Sequence, residues 1–287
     1  MKKEGGICLE HNQDSKFEDT FLPMTSVGSG VGIAVLPDVY CYTNKIVNLA
    51  LVGAADEFVL IDAGMPKSAD EIKAMIGDHF GENARPKAII LTHGHFDHVG
   101  SLVEVLKDWK VPVYAHELEI PFLTGEKDYP PGDPSVDSGL VAKMSPMFPN
   151  HGINISGQVQ ALPEDQSVPN MPGWKWVHTP GHTPGHISLF REDDRALIAG
   201  DAFVTVKQES LYKVMTQTQE ISGPPRYYTT DWNAAFESVK KLEALNPRTA
   251  VTGHGLPMTG DELTKSLHNL VENFNEIAMP KNSRYVN

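Results

Sequence analysis

The chain has 287 residues, of which 40% are hydrophobic and 21% are charged, proportions that are typical of a folded globular protein. Its formal net charge of −13 repels phosphate backbones and anionic lipids, so we expect neither a nucleic-acid nor a membrane partner. No apolar secretory segment or bilayer-spanning stretch is found, which predicts a cytoplasmic protein. Cys8 and Cys41 cannot form a disulfide framework and are predicted to be inert thiols.

The N-terminal part is predicted to form an extended arm followed by β-strands. Residues 1–26 are mixed and polar and constitute the arm. Four β-rich runs, divided by turn residues, follow at 31–36, 39–42, 46–52 and 57–61. Asp62 ends the last run, and it is either a turn residue or a carboxylate that orients metal ligands through hydrogen bonds. Ser68 and Glu71 then form a capping-box pattern, which predicts a helix that extends to about Phe80.

A cluster of potential metal ligands occupies the motif Thr-His-Gly-His-Phe-Asp-His at residues 92–98. It follows a predicted buried strand at 87–91 and precedes a predicted helix at 99–109, so it lies on a loop at the carboxyl end of a strand. Alternate residues of an extended segment point the same way, so His93 and His95 can bind one ion together. The turn that follows can direct Asp97 and His98 towards a second ion. The motif therefore predicts metal binding.

Residues 117–170 differ from the rest of the chain because prolines and glycines interrupt them repeatedly. Only a short helix near 136–148 is predicted there. An irregular insertion of this length within a compact domain is usually functional or mobile, so we predict a lid-like insertion. Its Met144, Met147 and Phe148 form either an apolar wall for a substrate or ordinary packing contacts, and the sequence leaves both interpretations open.

Three later strands also end at ligand-type residues. A strand at 173–177 precedes the motif Thr-Pro-Gly-His-Thr-Pro-Gly-His at 179–186, which contains His182. A hairpin follows whose second strand ends at Asp201, and a strand at 249–252 leads to His254. Amphipathic helices are predicted at 231–246 and 261–278.

These four motifs, in this order, resemble those of the metallo-β-lactamase superfamily, and the resemblance extends from about Val31 over nearly the whole chain. It implies a single domain over 1–287 with an α/β fold, an αββα sandwich in which two mixed β-sheets pack face to face with helices on the outer faces. The implied ligands are His93, His95 and His182 for one metal ion, Asp97, His98 and His254 for a second, and Asp201 as a bridge between them. His186 is not needed for either ion and is predicted to support a ligand or to face the substrate.

The reaction that the resemblance implies is hydrolysis by a hydroxide that bridges two divalent ions. Imidazoles and carboxylates suit Zn²⁺, which we expect first, and also Mn²⁺ or Fe²⁺. Asp97 is placed to orient the nucleophile and to pass its proton to the leaving group. We expect a small-molecule substrate, and the resemblance also makes a homodimer plausible.

Among the branches of this family, the sequence is most similar to the glyoxalase II and lactonase-like hydrolases, which favours a small ester, lactone or thioester as the substrate. An N-acyl homoserine lactone lactonase is a narrower alternative. Such lactonases commonly have a tyrosine three residues after the bridging aspartate, where this chain has Val204, so Tyr212, Tyr227 or Tyr228 would have to supply the hydroxyl. A persulfide dioxygenase-like enzyme with a single iron is a second alternative, although the Cys-Gly-Arg motif of those enzymes is absent from 203–228.

Overall fold

A computed structural model describes residues 25–286. The predicted arm at 1–26 therefore lies almost entirely outside the described residues, as does Cys8. The described chain folds into two β-sheets with helices, as the resemblance implied.

The first sheet has seven strands in the order of the sequence. They are β1 (Gly32–Leu36), β2 (Val39–Asn44), β3 (Val47–Val52), β4 (Val59–Ile61), β5 (Ile89–Ile90), β6 (Val113–Ala115) and β7 (Val159–Ala161). The strands from β1 to β4 pair antiparallel, whereas those from β4 to β7 pair parallel. The carboxyl ends of β4, β5 and β6 therefore lie at the same end of the sheet, and the 92–98 motif begins there.

The second sheet has five strands in the order β12, β11, β10, β9, β8. They are β8 (Trp174–His178), β9 (Ile187–Arg191), β10 (Ala196–Gly200), β11 (Thr249–Thr252) and β12 (Met258–Thr259). Only β10 and β11 pair parallel. Because both strands run in the same direction, Asp201 and His254 leave the sheet at the same end.

Alternating side chains divide the apolar interior into three layers. Ala50 and Val52 of β3 join Ile198 of β10 in a core between the two sheets. The intervening Leu49 and Leu51 pack with helices on the outer face of the first sheet. Residues of β10 and β11 that point away from the first sheet pack under helices of the C-terminal part. The result is the predicted αββα sandwich.

The helices of residues 25–286 include most of the predicted helical segments. They are α1 (Ala69–Phe80), α2 (Phe96–Val99), α3 (Leu102–Asp108), α4 (Ile120–Leu123), α5 (Leu140–Met144), α6 (Leu211–Thr216), α7 (Trp232–Ala244), α8 (Gly260–Glu272) and α9 (Phe274–Ile277). Within residues 25–286, no helix is long and apolar enough to cross a membrane.

The predicted helix at 99–109 begins only at Leu102, and the end of the first motif, predicted to be a loop, forms the short helix α2, which is interrupted at Gly100. The backbone of Gly100 lies so close to the loop after β4 that a Cβ atom there would be 2.3 Å from the Pro66 nitrogen. The peptide of Gly100 donates a hydrogen bond to Gly64 O at 2.8 Å, which fixes this contact. The predicted C-terminal helix is likewise interrupted, at Asn273.

Helix α1 begins where the capping pattern placed it, but the predicted capping box is wrong. The Ser68 hydroxyl accepts no bond from the helix and instead receives Lys45 Nζ at 3.2 Å. Glu71 accepts a hydrogen bond from the Tyr42 hydroxyl at 2.8 Å. Partners from β2 and the turn after it have therefore replaced the local reciprocal bonds.

The insertion at 117–170 is not lid-like over its whole length. Strand β7 forms the edge of the first sheet, and Leu162 and Val168 belong to the core between the sheets. The irregular part is the stretch between α4 and β7, which contains α5 and a 3-10 turn at Ser145–Met147. Closure of this narrower stretch over the site stays a prediction.

Candidate metal centre

The structure brings all seven predicted ligand residues into one buried cluster at the carboxyl ends of the strands. Three groups have potential ligand atoms that lie within 4.8 Å of one another: His93, His95 and His182; His93, His98 and Asp201; and Asp97, His98 and His254. The first and last groups are the two predicted ligand sets. They are called the first trio (His93, His95, His182) and the second trio (Asp97, His98, His254) below.

Hydrogen bonds to the outward-facing nitrogen of four of the five ligand imidazoles determine how those rings face the cluster. The Thr92 hydroxyl donates to Asp62 Oδ2 at 2.8 Å, so its oxygen accepts from His93 Nδ1 at 3.1 Å. Likewise the Thr229 hydroxyl donates to Pro225 O at 2.8 Å and accepts from His182 Nδ1 at 3.1 Å. With Nδ1 protonated in both rings, the lone pair of each Nε2 is directed into the cluster.

The histidines of the second trio are held in the same manner by other partners. His98 Nδ1 donates to Asp62 Oδ2 at 2.8 Å, and His254 Nδ1 donates to Ile46 O at 2.9 Å. Asp62 thus contacts a ligand residue of each trio, directly or through Thr92. This geometry agrees with the predicted orienting role of Asp62 and disfavours its interpretation as a plain turn residue.

Asp201 lies between the two trios. Its Oδ2 atom is 3.5 Å from His182 Nε2, 3.6 Å from His98 Nε2 and 3.3 Å from His254 Nε2. Gly253 allows this position, because a Cβ atom there would be 2.0 Å from Asp201 Oδ1. The carboxylate is therefore placed as a bridge between two ligand sets.

Several polar atoms at the centre of the cluster are buried without a hydrogen-bond partner. They include His93 Nε2, His98 Nε2 and Asp201 Oδ1. Buried polar atoms without partners are costly, and in this case all three are electron-pair donors that face one another. A pair of divalent cations would satisfy them, so the residues present fit the metal ions that the family motifs imply.

The first trio is kept neutral by its surroundings. Burial, followed by the charges of neighbouring histidines, lowers the pKa of His93 and His182 well below the usual value, and the pKa of His95 to about 3. Neutral imidazole is the form that binds a metal ion. His95 directs Nδ1 towards His182 Nε2, at 3.0 Å, whereas the other two rings direct Nε2 inward.

The second trio has the opposite electrostatic character, because it includes the carboxylate of Asp97 and lies beside that of Asp201. Burial lowers the pKa of His98 and His254, but the carboxylates outweigh burial, with Asp201 contributing most. The pKa of His98 is consequently well above its usual value and that of His254 is about 10.

His186 is buried, and both of its ring nitrogens are hydrogen-bonded within the protein. Its Nε2 accepts from the Asp201 peptide at 2.9 Å, and its Nδ1 is bonded to Thr179, whose carbonyl oxygen is 3.2 Å away. Of the two roles that the sequence left open for this residue, the geometry favours the supporting one. His116 and His178 lie outside the cluster and stack on each other with ring centroids 4.2 Å apart.

An aromatic wall borders the cluster on the side of the first trio. It consists of Phe148, Tyr227 and Tyr228 with Phe96 and the apolar side chains of α5. The Tyr228 ring lies 4.5 Å from the His95 ring, between centroids. Phe148 and Met144 belong to this wall or pack against it, whereas Met147 is 75% exposed.

The three tyrosines that were considered as hydroxyl donors lie in different surroundings. Tyr212 is exposed, and Tyr228 donates its hydroxyl to Pro149 O at 3.2 Å. Tyr227 is buried, and burial together with the charge of Asp97 raises the pKa of its phenol well above the usual value. Tyr227 therefore stays protonated near the carboxylates of the cluster.

Sequence reasoning missed residues that hold the ligands from a distance. Thr229 and the carbonyl of Ile46 lie far from the motifs that they support. Glu119 and Tyr129, in the segment predicted as a lid, are buried against the first motif, where both contact the Gly94 peptide. Glu119 lies two residues before Pro121, and nothing in the surrounding sequence indicates that its side chain is buried against the first motif.

The fold and the buried cluster are those of the metallo-beta-lactamase superfamily, and the chain belongs to this family: the family model matches residues 42–254. The chain is 52% identical, over 90% of its length and 99% of the relative, to the probable metallo-hydrolase YflN of Bacillus subtilis strain 168. It is 28% identical, over 70% of its length and 76% of the relative, to the probable metallo-hydrolase YybB of the same organism.

Solved structures support the same assignment. A di-iron-bound form of TTHA1623 is 26% identical, with a TM-score of 0.52 over 74% of this chain and 89% of that one. The subclass B3 metallo-beta-lactamase BJP-1 of Bradyrhizobium japonicum is 19% identical, with a TM-score of 0.58 over 88% of this chain and 94% of that one. The second likeness shows the shared fold alone.

Proposed function

We propose that this protein is a dinuclear metal-dependent hydrolase that cleaves a small ester, lactone or thioester. The observation that carries the proposal is the pair of buried trios with Asp201 between them and unpartnered donor atoms at the centre. A cytoplasmic location, a small-molecule substrate and zinc as the first metal belong to the same proposal.

Two bound divalent ions would supply a water nucleophile of lowered pKa and polarise the scissile carbonyl group. The protein's own contribution is to fix the donor atoms and to manage protons. Asp97 lies at the edge of the cluster, with Oδ2 3.3 Å from His254 Nε2. Its carboxylate orients the attacking water, accepts its proton at an oxygen and returns that proton to the leaving oxygen or sulfur.

The aromatic wall supports an uncharged, apolar acyl group as the substrate part next to the first trio. Phe148 and Tyr228 are buried there, and the Tyr228 ring lies against His95. Burying an apolar acyl chain against such rings is favourable, whereas a charged group would lose hydration at this wall. An N-acyl homoserine lactone is one substrate of this description.

A mononuclear iron dioxygenase is the second candidate, and the second trio disfavours it. A single-ion site has no use for Asp97, His98 and His254 as a complete and buried ligand set. The structure of TTHA1623 does not favour it either, because that protein was solved in a di-iron-bound form.

The test is hydrolysis of a panel of neutral acyl lactones, aryl esters and thioesters by protein loaded with Zn²⁺, Mn²⁺ or Fe²⁺. We expect turnover of at least one of these classes, loss of turnover after chelation and recovery after the metal is restored. Metal-loaded protein that hydrolyses none of the three classes, but consumes oxygen with a persulfide, would overturn the proposal.

A further inference from the structure

A carboxylate that belongs to neither trio lies beside the first one. Glu119 ends a 3-10 turn, Glu117–Glu119, that follows β6, and its side chain is completely buried. It is in none of the three groups of potential metal ligands. A buried carboxylate is rare unless specific partners hold it, so its contacts need an explanation.

Glu119 accepts hydrogen bonds from both loops that hold the first trio. Oε2 accepts from the Gly94 peptide at 3.0 Å, and Gly94 lies between His93 and His95. Oε1 accepts from the Thr183 hydroxyl at 2.7 Å and from the Gly185 peptide at 2.8 Å, on the loop that contains His182. The two oxygens of one side chain thus serve two loops that are far apart in sequence.

A fourth donor reaches the same carboxylate from the segment between α4 and β7. The Tyr129 hydroxyl donates to Glu119 Oε2, and the Tyr129 ring lies 4.6 Å from the His95 ring, between centroids. Burial raises the pKa of Glu119, and the four donors oppose this effect because each of them favours the carboxylate form. All of its hydrogen-bonding capacity is therefore used in joining chain segments around the first trio.

Two glycines show that the chain is adapted to this contact. A Cβ atom at Gly185 would lie 2.8 Å from the backbone nitrogen and from Cγ of Glu119. A Cβ atom at Gly94 would lie 2.6 Å from the Tyr129 hydroxyl oxygen. Any larger residue at either position would push a loop away from the carboxylate.

We infer that Glu119 is a positioning residue that fixes the spacing of the two loops of the first trio and thereby sets the metal affinity of that site. The inference rests on the proposed dinuclear function. The second trio has supports that do not involve Glu119, namely the direct bond from His98 to Asp62 and the bond from His254 to the Ile46 carbonyl. The effect of Glu119 should therefore be confined to one of the two metal ions.

Glu119→Gln tests this selectivity because the amide nearly preserves the shape and replaces one acceptor oxygen with a donor. Whichever way the amide is turned, its NH₂ group meets a peptide N–H, from Gly94 or from Gly185, and one loop is released. The matched control is Glu117→Gln, the same change two residues earlier at an exposed side chain.

The readout is Co²⁺ binding to metal-free protein, followed by the visible spectrum and by equilibrium titration. The absorption of each site is assigned with His95→Ala, which removes a ligand of the first trio, and His254→Ala, which removes one of the second. We expect Glu119→Gln to weaken the first site roughly 10- to 100-fold, the loss typical when a group that orients metal ligands is removed. In Glu119→Gln, the Co²⁺ affinity of the second site should stay within about twofold of the wild-type value. In the Glu117→Gln control, the affinities of both sites should stay within about the same factor.

Unchanged affinity at the first site, or equal losses at both sites, would overturn the role of Glu119. Metal binding is measured without any substrate, so this failure differs from that of the proposed function, in which wild-type protein binds two ions but hydrolyses nothing. If Glu119→Gln does not fold, Thr183→Ala removes only one of the four donors. It should weaken the first site several-fold and leave the second unchanged, and equal losses at both sites would again contradict the inference.

Discussion

The two ends of the β-sandwich hold their charged side chains in opposite ways. At the far end, Arg191 bonds Asp38 and Asp194, with Arg191 Nη2 2.9 Å from Asp38 Oδ1, and its guanidinium lies 4.8 Å from the Trp174 ring centroid. Every charge of this cluster has a partner, and the bond to Asp38 joins the two sheets. At the metal end, His93 and Asp201 have buried atoms without partners. Partnered charges favour stability, whereas buried polar atoms without a hydrogen-bond partner indicate a place for a ligand.

The largest expected effect is the loss of activity when Asp97 is replaced at the metal end. Asp97→Ala should lower kcat roughly 10²- to 10⁴-fold, because a positioned acid–base group contributes about that factor. The fold should stay largely intact, because His254 keeps its bond to the Ile46 carbonyl and its contact with Asp201 when Asp97 is removed. Wild-type turnover in this variant would contradict the role of Asp97.

A smaller effect is expected at the aromatic wall. Phe148→Leu should raise KM several-fold for substrates with an aromatic or long acyl group and leave kcat nearly unchanged, because the wall contacts the part of the substrate that does not react. Met147→Ala is the matched control, since Met147 is adjacent but exposed. Equal KM values for both variants across short and long acyl groups would contradict the wall's contact with the substrate.

At the far end, a substitution should change stability and not activity. Arg191→Met keeps much of the aliphatic stem but removes the bonds to Asp38 and Asp194, so it should lower the free energy of unfolding by about 1–2 kcal/mol. Urea unfolding at pH 7 measures this loss, and kcat/KM should equal that of wild type. A fall in kcat/KM would show that the two ends are coupled.

The smallest expected effect is the pH dependence of the stability that Arg191→Met loses. Hydrogen bonds from Arg191 lower the pKa of Asp38 and Asp194. A carboxylate with a lowered folded-state pKa stabilises the protein above its unfolded pKa, about 3.9, and this contribution is lost as the pH falls through the folded value. The stability difference between wild type and Arg191→Met should therefore be smaller at pH 3 than at pH 7, whereas an equal or larger difference would contradict the ion-pair explanation.

The sequence predicted the ligands well because they lie in short motifs at strand ends. His93, His95 and His98 lie within six consecutive residues, so local spacing already indicates a metal cluster. Glu119 and Thr229 could not be found in this way, because their partners are brought to them only by the folded chain.

Elements governed by tertiary contacts were predicted less well for the same reason. The Ser68 hydroxyl and Glu71 form hydrogen bonds with Lys45 and Tyr42 and not the capping bonds to the helix backbone. Gly100 interrupts the helical segment because the loop after β4 passes close to it. Residues 159–170 were predicted to be irregular although they include the edge strand β7. This strand has only three residues, which are too few to show a periodic pattern in the sequence. Cys41, by contrast, is buried as expected for an inert thiol, and burial raises its pKa to about 12.

The most direct test of the dinuclear site is elemental analysis of protein purified without added metal or chelator. Two trios with Asp201 between them predict close to two ions of zinc, manganese or iron per chain, and His254→Ala should reduce the content to about one. A single iron per chain would point to the dioxygenase alternative. No metal, with none bound after zinc is added, would contradict a metal centre at this cluster.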